Sequence, residues 1–281
     1  MCFYHAGCPD GLGAALAVKL AWGDEVRLTA HGHEDAVSTD EAEDALVIYV
    51  DIAPTNEVLR AIAPVAEQII VLDHHASSKR RFESDPELAP YMEELGHVVH
   101  FDLTRSGAVL AWEYFHPDEP LPDLYRYVQD QDLWDWDLPQ SREVNAAIGS
   151  YPQQFEVWEN FIENGISNLA EEGRALVRAN RAEVARALKS AHVAFINGER
   201  IEAVNCTTHT RSAIGHELAA RARFDKSWGL IYRVTAQRVH CSIYSIGELD
   251  VSKVAVRFGG GGHPNASGFN LNLEHWLKDF L

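Results

Sequence analysis

The chain has 281 residues, enough for two ordinary domains; 46% are hydrophobic, 23% are charged, and no apolar run reaches the roughly 20 residues of a membrane span. Twenty-four basic against 42 acidic residues leave a formal net charge of -18, which repels polyanions and excludes a basic track for long double-stranded nucleic acid. The opening MCFYHAGCPDG lacks the basic and apolar stretches of a secretory signal, and Cys2, Cys8, Cys206 and Cys241 form no CxxC pair, so a reducing, cytoplasmic setting is expected.

Short runs rich in Val, Ile and aromatic residues predict strands at Cys2 to His5, Val26 to Ala30, Ala45 to Ile52, Gln68 to Leu72 and Val98 to Phe101. Between them, Leu12 to Trp22 and Asn56 to Ala66 carry apolar residues at helical spacing, and Ser106 to Phe115 reads as a further helix. Such alternation predicts a mainly parallel sheet with helices on both faces. From Gln153 to about Ala191 the helical period dominates. Strand and helix patterns then resume through VAFI, IEAVNC, Ala213 to Ala222, LIYRV, HCSIYSI and Val251 to Arg257. The expected fold class is therefore α/β. It comprises a parallel-sheet catalytic domain over 1–150, a helical connector over 151–190 and a smaller α/β substrate-binding domain over 191–281.

Three predicted strands end in ionisable residues: His5 to Asp10, Asp51, and Asp73-His74-His75. Ligands of open α/β sheets bind outside the carboxyl ends of the strands, so these endings should converge. A single aspartate there usually caps the next helix. Several, mixed with histidine, repel one another or are stranded without water unless they hold a cation such as Mn²⁺, Fe²⁺, Co²⁺ or Zn²⁺.

Asp10-Gly11, Asp51 in VIYVDIAP, LDHH at 72–75 and FGGGGHPNASGF at 258–269 together resemble the DHH phosphoesterase superfamily with its C-terminal substrate-binding domain. With VQDQDLWDW, the pattern is most similar to the nanoRNase branch. The resemblance implies Asp10, Asp51, His74 and Asp130 as metal ligands, with Asp51 bridging where two ions bind. Asp132 would orient its neighbours. His75 would contact the reacting phosphate, Asp73 would fix a histidine tautomer, and Gly261, Gly262 and His263 would bind substrate. Mn²⁺, as one or two ions, is the implied cofactor, with other divalent metals open. Where relatives carry D-x-D this chain has Cys8-Pro9-Asp10, so His5 and Cys8 are candidates for the first metal position. Cys8 reads equally well as a small buried residue. Tyr244 stands where relatives often carry arginine.

Arg105 is a candidate for a terminal phosphate or for a surface carboxylate. Trp134 and Trp136, with Tyr125 and Tyr127, read as core anchors ahead of a base-stacking face, and His31, His33 and His209 read as polar loop residues. The glycine run has the composition of a flexible turn, but glycine also allows close backbone approach. The implied function is metal-dependent hydrolysis of short oligoribonucleotides or dinucleotides, with a nucleotide 3'-phosphatase activity open. A pyrophosphatase or polyphosphatase and a non-catalytic nucleotide sensor with a degenerate metal site are the alternatives. Partners are short nucleotide substrates and no membrane; homodimerisation stays open.

Overall fold

The computed structural model describes residues 1–32 and 37–280. It divides into two compact units, Met1–Val177 and Arg178–Leu281. The first contains β1 (Cys2–His5), α1 (Pro9–Trp22), β2 (Leu28–His31), α2 (Thr39–Ala42), β3 (Leu46–Val50) and α3 (Asn56–Ile62). It continues with β4 (Gln68–Asp73), α4 (Ala76–Glu83), α5 (Leu88–Glu94), β5 (Val98–Phe101) and α6 (Gly107–Phe115). After these come α7 (Asp123–Asp132), α8 (Ser141–Ile148), α9 (Phe155–Asn164) and the start of α10 (Leu169–Ala187).

The five strands are parallel in the order β2-β1-β3-β4-β5. Because successive strand residues point to opposite faces, each strand feeds two cores. Cys2, Ile48, Val50, Ile70 and Leu72 pack with Leu16, Val109, Trp112 and Trp158 on one face. Phe3, Val47, Tyr49, Ile69 and Val71 pack with Leu59, Ile62, Leu88 and Met92 on the other. The continuous apolar runs in the sequence are thus strands buried on both sides. Connections run outward in opposite directions from β1 and β3, which makes the carboxyl ends of this neighbouring pair the switch point of the sheet.

The expected connector over 151–190 takes a different form. Trp158, Phe161, Ile166 and Leu169 bury themselves in the first unit's core. An amphipathic helix with large apolar residues on one face gains more by packing on α1 and α7 than by spanning solvent, and the division between units falls within α10.

The second unit holds β6 (His192–Ile196), β7 (Glu199–Asn205), α11 (Arg211–Arg221), β8 (Trp228–Thr235), β9 (Arg238–Ser245), α12 (Ser252–Val256), β10 (Gly261–His263), β11 (Ala266–Asn272) and α13 (Leu273–Asp279). Its mixed sheet has the order β10-β11-β9-β8-β7-β6. Among the described residues of this sheet only β7 and β8 pair in parallel, and α11 makes their crossover; the other pairings are antiparallel. Among the described residues no helix is long and apolar enough to cross a membrane.

Candidate metal centre

The switch point is built by two glycines as much as by its acids. At Gly11, a Cβ would lie 2.1 Å from the His5 carbonyl oxygen, so the first turn of α1 sits directly on the end of β1. At Gly107, a Cβ would lie 2.4 Å from the Asp51 Cβ, so α6 begins against the end of β3. The buried Asp10 carboxylate joins the two helices: Oδ2 accepts from Gly107 N at 2.6 Å and Oδ1 from Ala108 N at 3.0 Å. Asp10 therefore satisfies two amides that the first turn of α6 leaves without helical partners.

Asp51 occupies the centre. Its backbone turns left-handed at φ 57°, an uncommon conformation for a residue other than glycine, at the point where β3 ends. Oδ2 lies 3.4 Å from His5 Nδ1 and accepts from Cys8 Sγ at 3.4 Å. Oδ1 lies 3.1 Å from His74 Nε2, and the same ring nitrogen is 3.4 Å from Asp10 Oδ2 and 3.5 Å from Asp132 Oδ2. Two sets of ligand atoms thus converge, His5 with Cys8 and Asp51, and Asp10 with His74 and Asp132. Asp51 presents one oxygen to each.

At the end of β4, Asp73 is fully buried and its Oδ1 gathers the amides of His74 and His75 at 2.8 and 3.2 Å, with His75 Nδ1 at 2.7 Å. Burial raises the Asp73 pKa, but the charge and hydrogen bond of His75 outweigh it and hold the carboxyl at about 2. Burial, reinforced by the charges of Asp51 and Asp132, pushes Asp10 well above the usual carboxylate range. Asp51 moves the other way: burial raises it, yet the close approach of the His5 and His74 rings brings it well below that range. For His74, burial is overcome by Asp51, Asp132 and Asp10, which raise its pKa far above the ordinary value.

These donors fit a divalent cation. Asp51 Oδ1 is buried with no hydrogen-bond partner, although His74 Nε2 is within reach, so the pair meets at close range without the alignment of a hydrogen bond. Ligand atoms gathered this closely in low dielectric are what a shared cation would hold. Mixed carboxylate and imidazole donors suit first-row divalent metals.

No family model matches the chain. Over 285 residues it is 28% identical to the uncharacterized protein R106 of Acanthamoeba polyphaga mimivirus, an alignment covering 94% of this chain and 66% of that protein. Over 297 residues it is 22% identical to the oligoribonuclease NrnB of Bacillus subtilis (strain 168), covering 94% and 71%. The chain thus spans about two thirds of the length of these curated relatives. Among solved structures it is similar to the DHH domain of a member of the s1p family of ribosomal proteins, with a TM-score of 0.57, 15% identity, and coverage of 99% of this chain and 83% of that one. The chain has the DHH phosphoesterase fold.

Within this DHH fold, the expected residues His5, Cys8, Asp10, Asp51, His74 and His75 come together. Asp130 does not join them. Its Oδ1 instead accepts from the amides of Asp137 and Leu138, at 2.8 and 3.3 Å, and its carbonyl accepts from Asp135 and Trp136, closing the loop after α7. Two residues on, Asp132 reaches His74. Positions two apart on a helix face nearly opposite ways, so α7 turns only one of them toward the strand ends.

Arg105 is half-buried and pairs with Glu113 at 3.4 Å, which is the surface-carboxylate alternative. Tyr125 is a core residue whose hydroxyl donates to the Gly13 carbonyl at 3.0 Å, and Tyr127 donates to that of Pro139 at 2.9 Å. Trp134 and Trp136 differ from the core expectation. Both are half-buried with left-handed backbones at φ 62° and 59°, their rings meet edge to face at 5.1 Å, and Arg142 lies over Trp136. Tight closure of the loop on Asp130 forces this conformation. His31 is a buried strand residue against the Phe3 ring, rather than a loop residue. His209 lies 2.9 Å from Asn180 Oδ1, and His33 falls outside the described residues.

In the second unit the glycine run leads from a turn at Gly259 into a strand that begins at Gly261. Gly261–His263 pair antiparallel with Ala266–Gly268. A Cβ at Gly260 would lie 2.0 Å from the Gly268 carbonyl oxygen, and Gly262 has φ 133°, so the hairpin closes only with glycine at both places. Tyr244 is buried, its ring covering Gly215 and its hydroxyl 3.1 Å from Ser212 Oγ.

Proposed function

We propose that the chain is a metal-dependent phosphodiesterase that hydrolyses short oligoribonucleotides or dinucleotides, such as pApA and pGpG. The observation that carries this reading is the central carboxylate: Asp51 turns Oδ2 to His5 and Cys8 and Oδ1 to His74, as a bridging ligand would. Oligoribonuclease activity in the name of the Bacillus subtilis relative supports the substrate class. Asp10, Asp51, His74 and Asp132 are the residues we assign to a divalent ion of the Mn²⁺ type. When bound, such ions act as Lewis acids on phosphoryl oxygen and supply hydroxide at neutral pH.

The chain's own groups do the rest. Asp73 holds His75 by Nδ1, and Nε2 is the nitrogen we assign to the reacting phosphate. Gly261, Gly262 and His263 are assigned to the substrate's phosphate and sugar. The net charge of -18 keeps long polyanions away unless cations offset it locally, which favours short substrates. The test is a turnover screen with Mn²⁺ across dinucleotides, longer RNA, cyclic nucleotides, pAp and pyrophosphate. Dinucleotides should be cleaved fastest, with rates falling steeply beyond a few nucleotides. Pyrophosphate turnover without nucleotide turnover would replace this reading with a pyrophosphatase.

A further inference from the structure

Three ligand atoms at the end of β1 form a nearly regular triangle. His5 Nδ1 to Cys8 Sγ is 3.6 Å, Cys8 Sγ to Asp51 Oδ2 is 3.4 Å, and His5 Nδ1 to Asp51 Oδ2 is 3.4 Å. Tetrahedral coordination with metal–ligand lengths of about 2.3 Å to sulfur and about 2.0–2.2 Å to nitrogen and oxygen puts neighbouring ligands about 3.5 Å apart where sulfur is one of them, and about 3.3–3.5 Å for nitrogen and oxygen. An octahedral oxygen site with bonds of about 2.1 Å would bring adjacent ligands to about 3.0 Å. The observed edges match three corners of a tetrahedron.

The sulfur is also held for the purpose. Cys8 is the N-cap of α1, and its Sγ accepts from Gly11 N at 3.3 Å. That amide fixes where the sulfur points, on the side of His5 and Asp51. The third corner, Asp51 Oδ2, belongs to a carboxylate that is 1% exposed and whose other oxygen faces His74.

Resting on the metal-dependent reading above, we propose that His5, Cys8 and Asp51 form a thiolate-containing tetrahedral site that selects Zn²⁺, Co²⁺ or Fe²⁺ over Mn²⁺ and Mg²⁺. The oxygen-rich set of Asp10, His74 and Asp132 on the other side of Asp51 keeps the harder ion, so the centre is heterometallic. Sulfur is a poor ligand for hard cations and a strong one for borderline metals. On binding, the thiol proton leaves to the buffer and the Sγ lone pair makes the new bond, so metal uptake releases protons.

The experiment titrates the full-length protein with Co²⁺ alone and reads the absorption spectrum, with metal content measured after dialysis against Zn²⁺ and Mn²⁺ together. Wild-type protein should show a thiolate-to-cobalt charge-transfer band in the near ultraviolet, the intense visible bands of tetrahedral cobalt, and one Zn²⁺ beside Mn²⁺. Cys8→Ser keeps a side chain suited to the N-cap; it should lose the charge-transfer band and bind Zn²⁺ at least tenfold more weakly. Cys8→Asp should replace Zn²⁺ by Mn²⁺ in the retained metal. A wild-type protein without the band, or a Cys8→Ser variant that keeps it, overturns the proposal. Because these readouts need no substrate, an absence of nucleotide turnover would refute the phosphodiesterase reading while leaving this site standing.

Discussion

Replacing Gly107 with alanine adds one methyl group where α6 begins against Asp51. That Cβ would lie 2.4 Å from the Asp51 Cβ, 2.7 Å from its Cα and 2.7 Å from Oδ1. Nonbonded carbons settle at about 3.5–4.0 Å, so one side must yield by about 1 Å. If α6 retreats, the bonds from Gly107 N and Ala108 N to Asp10 lengthen; if Asp51 moves, its oxygens leave their two ligand sets. Alanine would otherwise stabilise a helix by about 0.5–1 kcal/mol over glycine. Overpacking costs about 1–3 kcal/mol, so the net sign is destabilising.

Net of the helix gain, for a unit of this size that corresponds to a Tm lowered by up to about 10 °C. Displacing a reacting group by about 1 Å costs on the order of 100-fold in turnover. Thermal denaturation, metal content after gel filtration and dinucleotide turnover should therefore all fall together. Gly149→Ala is the control, since Gly149 has φ -67° and its nearest contact, the Asn145 carbonyl oxygen, is 3.3 Å from the added Cβ. It should behave like wild type. A Gly107→Ala protein with wild-type metal content and turnover would refute the packing argument.

Asp132→Asn should release metal and abolish turnover with little change in Tm, whereas Asp130→Ala should lower Tm by several degrees through loss of its two backbone hydrogen bonds, worth about 1–3 kcal/mol, with less effect on metal content. Equal loss of metal in both variants would contradict the distinction. His263→Ala should raise the KM for a dinucleotide about tenfold, the loss of one charge-assisted hydrogen bond of about 1.5 kcal/mol, with metal content unchanged; lost metal would reassign His263 as a ligand. Cys2 and Cys241, fully buried with thiols pushed up by burial to about 12, should resist iodoacetamide in native protein at pH 8 and react after denaturation; mass spectrometry that finds either alkylated in the native state would show that the strands around them open.

Local chemistry made most of the first sheet legible. β1 and β5 have the expected ranges, because four-residue apolar runs bounded by polar turns have few other uses in a chain of this composition. β2 starts later than expected, at Leu28, since its register is set by pairing Cys2 with Leu28 and not by its own residues. Side-chain direction on α7 was not legible: Asp130 and Asp132 have the same chemistry, and only packing against α1, α6 and α8 decides which of them meets His74. The left-handed turns at Trp134 and Trp136 were equally hidden, because tertiary closure on Asp130 imposes a backbone that tryptophan disfavours. Aromatic residues in such a loop look like core anchors until the loop is closed.

The arrangement also explains how an acidic protein tolerates an acidic centre. α1 and α6 both begin at the cluster, and helix N-termini favour negative charge. Cys8 takes the amide at the start of α1, and Asp10 takes two at the start of α6. Those amides fix direction as well as charge. With Oδ1 on Ala108 N and Oδ2 on Gly107 N, Asp10 is held in one orientation by the fold itself. Yet they do not neutralise the cluster, since burial and the charges of Asp51 and Asp132 still drive Asp10 toward its protonated form. Helix N-termini fix the direction of these side chains and leave an excess of negative charge, which is the balance that a divalent ion would complete.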